Sequence, residues 1–387
     1  MKFKYNFFFI FILILIISLA ACTRIDEGVI EKNSTAFTPG NIPAEMVDQM
    51  ADKKAIMVGE FHRSQEHQEL LFDLVKALHN QQGLDSVILQ DRHAYSWIFT
   101  DFAEGRIEDG VFLENVISRY EYFLKNIREY NNQLPQDQKV SVKSGDINFQ
   151  HDQFLSSLQY MRRFLNDREL VNRFLNRLRT TSDKKTVMLD FKEEIEQEQP
   201  FEVERDIDWN RRISRILEIE IDSFAPREKW QSDYVQAHRL REEVFKKIAS
   251  WELSDDKRVL FNYGFNHTQK SHHFGTEKEW LGEFLSKNYP VTENKTYSIT
   301  FVPMRGELRT SEGKIEQIDL MKDTSDNELL TTTAELMGEE NHIFLNLNPD
   351  DFPSRENKIN LHFQKIEAVP YELYDGFLLI PQVNPFK

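Results

Sequence analysis

Cysteine is almost missing from this chain. Cys22 stands alone among 387 residues, which excludes an intramolecular disulfide and a thiolate metal cluster. Positive charge is short as well: 48 Lys and Arg against 64 Asp and Glu leave a formal charge of −16. That balance argues against nucleic acid or an anionic membrane surface as a partner. The common catalytic signatures are absent too: there is no G-x-S-x-G elbow, no Walker loop, no G-x-G-x-x-G and no H-E-x-x-H. The longest apolar run, Phe7–Ile17, falls short of the roughly 20 residues a membrane span needs. What remains is material for a core, with 40% apolar residues and 30 Phe. The length suits one large or two ordinary domains.

Lys2 and Lys4 precede the apolar run, and Leu19-Ala20-Ala21-Cys22 follows it. A charged start, an apolar centre and a small-residue exit make a secretory signal. Leu-Ala-Ala-Cys at this position resembles the lipobox of bacterial lipoproteins, in which the cysteine is lipidated and becomes the first residue. The resemblance implies a signal peptide over 1–21, a lipid on Cys22 and, with Thr23 rather than Asp next, an anchor in the outer membrane of a Gram-negative cell envelope. Lipidation would leave no thiol, so a cysteine nucleophile is excluded. Residues 22–42 are polar and include Pro39-Gly40, which reads as a tether to a body over 43–387.

Within that body, Ala55–Val58 and Ser86–Leu89 read as short buried strands, rich in β-branched residues. Between them Leu70, Leu71, Leu74, Val75 and Leu78 recur at helical spacing, with Ser64 placed to cap. Strand, helix, strand forces a parallel pair with a right-handed crossover. Pro43–Lys53 and Phe112–Tyr130 carry helical patterns; Val140–Ile147, Arg258–Tyr263, Tyr297–Val302, His342–Leu347 and Gly376–Ile380 read as further strands. Residues 150–250 are dense in charge and helical pattern. The whole predicts an α/β protein with a mostly parallel sheet flanked by helices, and a long helical insertion over the strand carboxyl ends.

Polar groups gather where those strands end: Glu60 and His62, then Gln90, Asp91 and His93, then Asp146, then Asn266 and His267. Open α/β sheets place their ligands at that edge. A histidine beside a carboxylate can take a proton from water, and a second histidine or an arginine can stabilise negative charge. Singly, a histidine at a strand end is more often a hydrogen-bonded structural residue, and Asp146 reads equally as a turn former; the joint pattern is what points to a site. His67 and Glu69 read as an exposed helix face, and His272 and His273 as a solvated loop. Two histidines and a carboxylate also suit a divalent ion.

GEFH at 59–62, IREYNNQLPQDQKVSVKSGDIN at 127–148, Arg241-Glu242 ahead of YGFNH at 263–267, and YELYDGFLLIPQVNPF at the end together resemble the erythromycin-esterase-like family. That family is similar to a wider group with ChaN-type haem-uptake lipoproteins and Tiki-type metalloproteases. The resemblance implies His62 as general base on a water with Glu60 supporting it, and Arg241 and His267 lining the same pocket. It also implies an ester or amide hydrolase that needs no metal or other cofactor and acts on a small molecule. The alternative it implies is a ChaN-like lipoprotein that binds haem or another ligand without chemistry, with His93 and Tyr95 as axial candidates. A divalent metal belongs to the third, Tiki-like reading. Gln90 stands where the family carries a glutamate, and Asp91 replaces it only if the strand breaks there, because neighbouring residues of a strand point to opposite faces.

The lipidation reading predicts that protein from its native host begins at an acylated Cys22 and that Cys22→Ser blocks the modification. Intact-mass measurement checks this; an unmodified, uncleaved amino terminus overturns it.

Overall fold

The computed structural model describes residues 26–385 apart from 61–63, 109, 111–115, 117–118, 205–206, 255, 272–277, 310–313, 323–326, 353–356 and 362–363. Cys22, His62, His272 and His273 lie outside the described residues.

An eight-stranded sheet runs through the molecule. Its strands are β1 (Ser34–Phe37), β2 (Ala55–Glu60), β3 (Ser86–Arg92), β4 (Ser141–Asp146), β5 (Val259–Gly264), β6 (Thr296–Pro303), β7 (His342–Asn346) and β8 (Gly376–Ile380). They lie in the order β1-β7-β8-β6-β2-β5-β3-β4. The pairs from β8 through to β4 are all parallel. β7 pairs antiparallel with both β8 and β1, so it alone runs against the rest. The expected neighbours β2, β5, β3 and β4 are adjacent and parallel.

Burial explains the pattern. Every residue of β2 and β5 is buried, as central parallel strands with both faces covered require. Alternation splits their side chains between two cores. Ile56, Val58, Val87, Leu89 and Leu260 join the larger one. Ala55, Met57, Ile88, Val259, Phe261 and Tyr263 join the other. Helix α1 (Gln65–Gln82) packs on the first side. Ser64 accepts the His67 N–H at its start, and Gly83, at φ +64°, supplies the left-handed residue that ends it.

Helices α2 (Ser96–Ala103) and α3 (Glu121–Asn131) lie between β3 and β4. The helical insertion then supplies α4 (His151–Met161), α5 (Arg168–Thr180), α6 (Lys184–Glu198), α7 (Trp209–Lys229) and α8 (Tyr234–Glu252). α7 and α8 pack against each other, and α8 packs on β4. The outer edge of β4 is closed by side chains. The Thr100 hydroxyl donates to Val142 O at 2.8 Å, His93 Nδ1 to Ser144 O at 3.0 Å, and Ser144 N–H donates to Ser96 Oγ at 3.3 Å. Among the described residues no helix is long and apolar enough to cross a membrane.

Two expectations are corrected. Residues 22–42 are not tether throughout: Glu27–Asn33 is a helix that buries Ile30, and Ser34–Phe37 forms β1. The few apolar side chains there suffice because β7 offers an open edge. The helix expected over Phe112–Tyr130 is broken by a turn at Arg119 and Tyr120 and runs on from Glu121, while 112–115 and 117–118 lie outside the described residues.

Near the end of β4, the Tyr263 hydroxyl donates to Gly145 O at 2.7 Å. A Cβ on Gly145 would collide with that hydroxyl and come within 2.7 Å of Ile88 Cγ2. Gly145→Ala is therefore expected to cost about 1–3 kcal/mol, the usual price of overpacking, read as a lower urea midpoint. Combining it with Tyr263→Phe should cost less than the two separate losses added, since they share a contact; strict additivity would overturn the account.

Candidate active site

Glu60, the last residue of β2, has the same strand parity as Ile56 and Val58 and therefore points to the α1 side. Its carboxylate is buried and heavily partnered. The Tyr120 hydroxyl lies 2.8 and 2.7 Å from the two oxygens, Arg119 Nη2 3.0 Å from Oε1, and Asn262 Nδ2 donates to Oε2 at 2.5 Å. Asn262 sits on β5 on the same side. With its amide nitrogen turned to Glu60, its Oδ1 faces His67 Nε2 at 3.0 Å. The oxygen can only accept, so His67 carries its proton on Nε2. His67 Nε2 is also 3.6 Å from Glu60.

The ionisation of the group follows from these contacts. Burial first, and then the Glu60 charge, push the Tyr120 phenol well above its ordinary range, so it remains a donor. Burial alone would weaken the Arg119 charge, yet Tyr120, Glu60 and Asp91 hold its guanidinium firmly protonated.

The end of β3 carries a β-bulge. Leu89 pairs with Ser144 and Arg92 with Asp146, so Gln90 and Asp91 together face Gly145. Such an extra residue breaks the alternation of side chains, which is the condition under which Asp91 can serve beside Gln90. Gln90 Oε1 accepts the Gly264 N–H at 2.7 Å, and Gln90 O accepts from Arg119 at 2.5 Å. Asp91 accepts the Arg92 N–H at 2.7 Å, and its charge also reaches Arg119 and Tyr120.

A second group sits on the α8 side. Arg241 Nε donates to Asp146 Oδ1 at 2.8 Å and Nη2 pairs with Oδ2. Phe149, Trp230 and Phe245 rings pack about the guanidinium. The next residue, Glu242, holds His267 Nδ1 at 2.5 Å with Oε1 and accepts the Leu281 N–H at 3.0 Å with Oε2. The carboxylate orients the imidazole with its proton on Nδ1, which leaves Nε2 as the basic nitrogen. Phe245, Tyr263 and Trp280 stand edge-on to the ring. Burial, then Lys278, Arg241 and His267, drive His238 down to about 3. Lys278 is itself lowered, by burial first, with its ammonium 4.1 Å from the Trp280 ring centre.

The structure therefore brings Arg241, Asp146 and His267 together, and sets Glu60 in a separate buried group on the other side of the sheet. The two groups approach each other at the carboxyl edge, where Arg119 and Arg241 are close enough to repel. Among the described residues Asn266 makes only a local contact, accepting from Gln269 Nε2 at 3.1 Å. His93 and Tyr95 are buried, and the His93 ring lies tilted against Trp251 with centroids 6.0 Å apart, away from both groups. Among the described residues no three His, Cys, Asp or Glu side chains form a group able to hold a metal.

Sequence reasoning missed Arg119, Tyr120, Asn262, Glu242 as the partner of His267, and His67, which is buried rather than exposed. His67 continues the stripe of Leu71 and Leu74 at helical spacing, and Asn262 interrupts an apolar strand; both signals were in the sequence.

Three solved structures share the architecture. A succinoglycan biosynthesis protein aligns over 94% of this chain and 99% of its own at a TM-score of 0.68 and 13% identity. A Bacillus cereus protein aligns over 93% and 97%, at 0.67 and 14%. An erythromycin esterase mutant, EreC in its open conformation, aligns over 90% and 97%, at 0.65 and 12%. This chain has an erythromycin-esterase-like fold. A haem-binding ChaN of Campylobacter jejuni aligns over 67% of it at a TM-score of 0.31. No family model matches the sequence, and no curated protein does.

Acid should weaken this fold. Burial first, with Arg215 and Lys143, outweighs the Ser144 carbonyl and Glu252 and lowers His93 from 6.5 to about 4. Between those values the unfolded chain binds a proton that the folded chain refuses, so stability falls as pH drops through that window, by on the order of 3 kcal/mol from His93. Urea midpoints at pH 7 and pH 4.5 should differ less in His93→Gln than in the wild type; equal differences would refute it.

Proposed function

We propose that this protein is a hydrolase of small-molecule esters or amides, with a histidine as general base and no need of a metal. The observation that carries it is the Glu242–His267 pair at 2.5 Å, just past β5 at the sheet's carboxyl edge. A carboxylate-oriented imidazole accepts a proton from water as the water attacks a carbonyl carbon, and returns it to the leaving group. Arg241 and Lys278 supply positive charge for the oxyanion that forms. Glu60, with its oxygens occupied by Tyr120, Arg119 and Asn262, acts as a positioning group. His62 keeps the role the family resemblance implies, a second base two residues beyond Glu60 in the chain. Gln90 retains through its amide oxygen the contact to Gly264 N–H that a carboxylate would make, but adds no charge. On the Leu19–Cys22 motif, we place the protein on the envelope, lipid-anchored in the outer membrane.

Turnover of a panel of chromogenic esters and amides tests the reading. Activity should survive EDTA, fall about a hundredfold or more in His267→Ala, fall less in Glu242→Gln, and rise in Gln90→Glu. Full activity in both His267→Ala and His62→Ala, with the fold intact by circular dichroism, would overturn it. A haem Soret band in the purified protein, with no turnover, would favour the binding-only alternative.

A further inference from the structure

A cavity of about 350 Å³ lies away from both groups described above. Its walls come from α2, the start of α7, the end of α8 and the outer side of β4. Along α8, Trp251 in its wall is ten residues from Arg241, about 15 Å at the helical rise. The size is within the range of small-ligand sites.

Its electrostatics run against those of the whole chain. Arg106, Lys143, Arg211, Arg212, Arg215 and Lys257 line it, in a protein of formal charge −16. The described carboxylates at the wall do not neutralise them. Asp101, buried on α2, is shared by two arginines, accepting from Arg106 at 2.7 Å and from two Arg212 nitrogens at 2.9 and 3.0 Å. Glu252 is shared in the same way between Lys143 and Arg215, the latter at 2.9 Å. Glu252 therefore leaves one positive charge over, while Asp101 and Glu104 together balance Arg106 and Arg212. Glu104 pairs with Arg106. The Asp208 carboxylate caps α7 by accepting the Arg211 N–H at 3.0 Å. Asp256, beside Lys257 in the chain, accepts the Ser254 hydroxyl at 2.7 Å. Arg211 and Lys257 are exposed and make no ion pair among the described residues.

We propose that this cavity binds the dianionic phosphoryl group of a small phosphate monoester. The six cations of the wall outnumber Asp101, Glu104, Asp208 and Glu252 by two, which suits a dianion better than a single charge. Arginine forks present paired donors that fit phosphoryl oxygens. Arg211 and Lys257 at the mouth complete the contact, and the indole of Trp251 in the wall receives the organic part of the ester.

Isothermal titration of the full chain with glucose 6-phosphate tests this. Saturable binding of one ligand per chain is expected, weakening as salt rises, with none for glucose at the same concentration. The double variant Arg211→Ala/Lys257→Ala removes only exposed side chains without ion pairs, so its melting temperature should be unchanged, and its affinity should fall about tenfold or more. Asp101→Asn, which frees a further positive charge, should tighten binding in any preparation that remains folded. Absence of saturable binding, or undiminished affinity in the double variant, would overturn the proposal. Ester turnover by His267 should be unchanged in the double variant, which keeps this test separate from that of the hydrolase reading.

Discussion

A carboxylate taken out of water at the end of a central strand is tolerable only if protein donors replace its hydration, and Glu60 shows how much of the molecule that requires. Its partners come from β5, from the turn ahead of α3 and, through Asn262, from α1. Removing one of them would leave a buried charge short of a donor, which costs far more than a surface ion pair is worth. The register of β2 against β5 is fixed by the same requirement. A slip of one residue would turn Asn262 to the opposite side of the sheet and leave both Glu60 and His67 without it.

The Glu242–His267 pair is built on different terms. It is set by a helix and a short turn packed among aromatic rings, and Arg241, its neighbour in sequence, is locked onto the end of β4. One turn of α8 thus serves two strand ends at once. The two groups reach the carboxyl edge from opposite sides of the sheet, with the β3 bulge between them.

The central strands, their parallel pairing and the insertion were legible because the strand runs are apolar, rich in β-branched residues and too short for helices. Strand ends were legible as places where polar residues follow such runs, which is how Glu60, Asp146 and His267 were found. Partners were harder. Arg119 and Tyr120 lie in a stretch whose helical periodicity hides a turn, and nothing local distinguishes them from surface residues. Glu242 differs from the many other acids of the insertion only by where α8 docks. The bulge at Gln90 and Asp91 arises from pairing between strands, which the order of residues does not state.

The outer side of β4 has a consequence for assembly. Backbone groups at a sheet edge invite another strand to pair with them. Here the carbonyls of Val142 and Ser144 and the Ser144 amide are already taken by Thr100, His93 and Ser96. A second chain cannot extend the sheet on that side without first displacing α2. Any growth by strand addition is left to the opposite margin, where β1 offers only four residues, too short a template to seed a continuous ribbon.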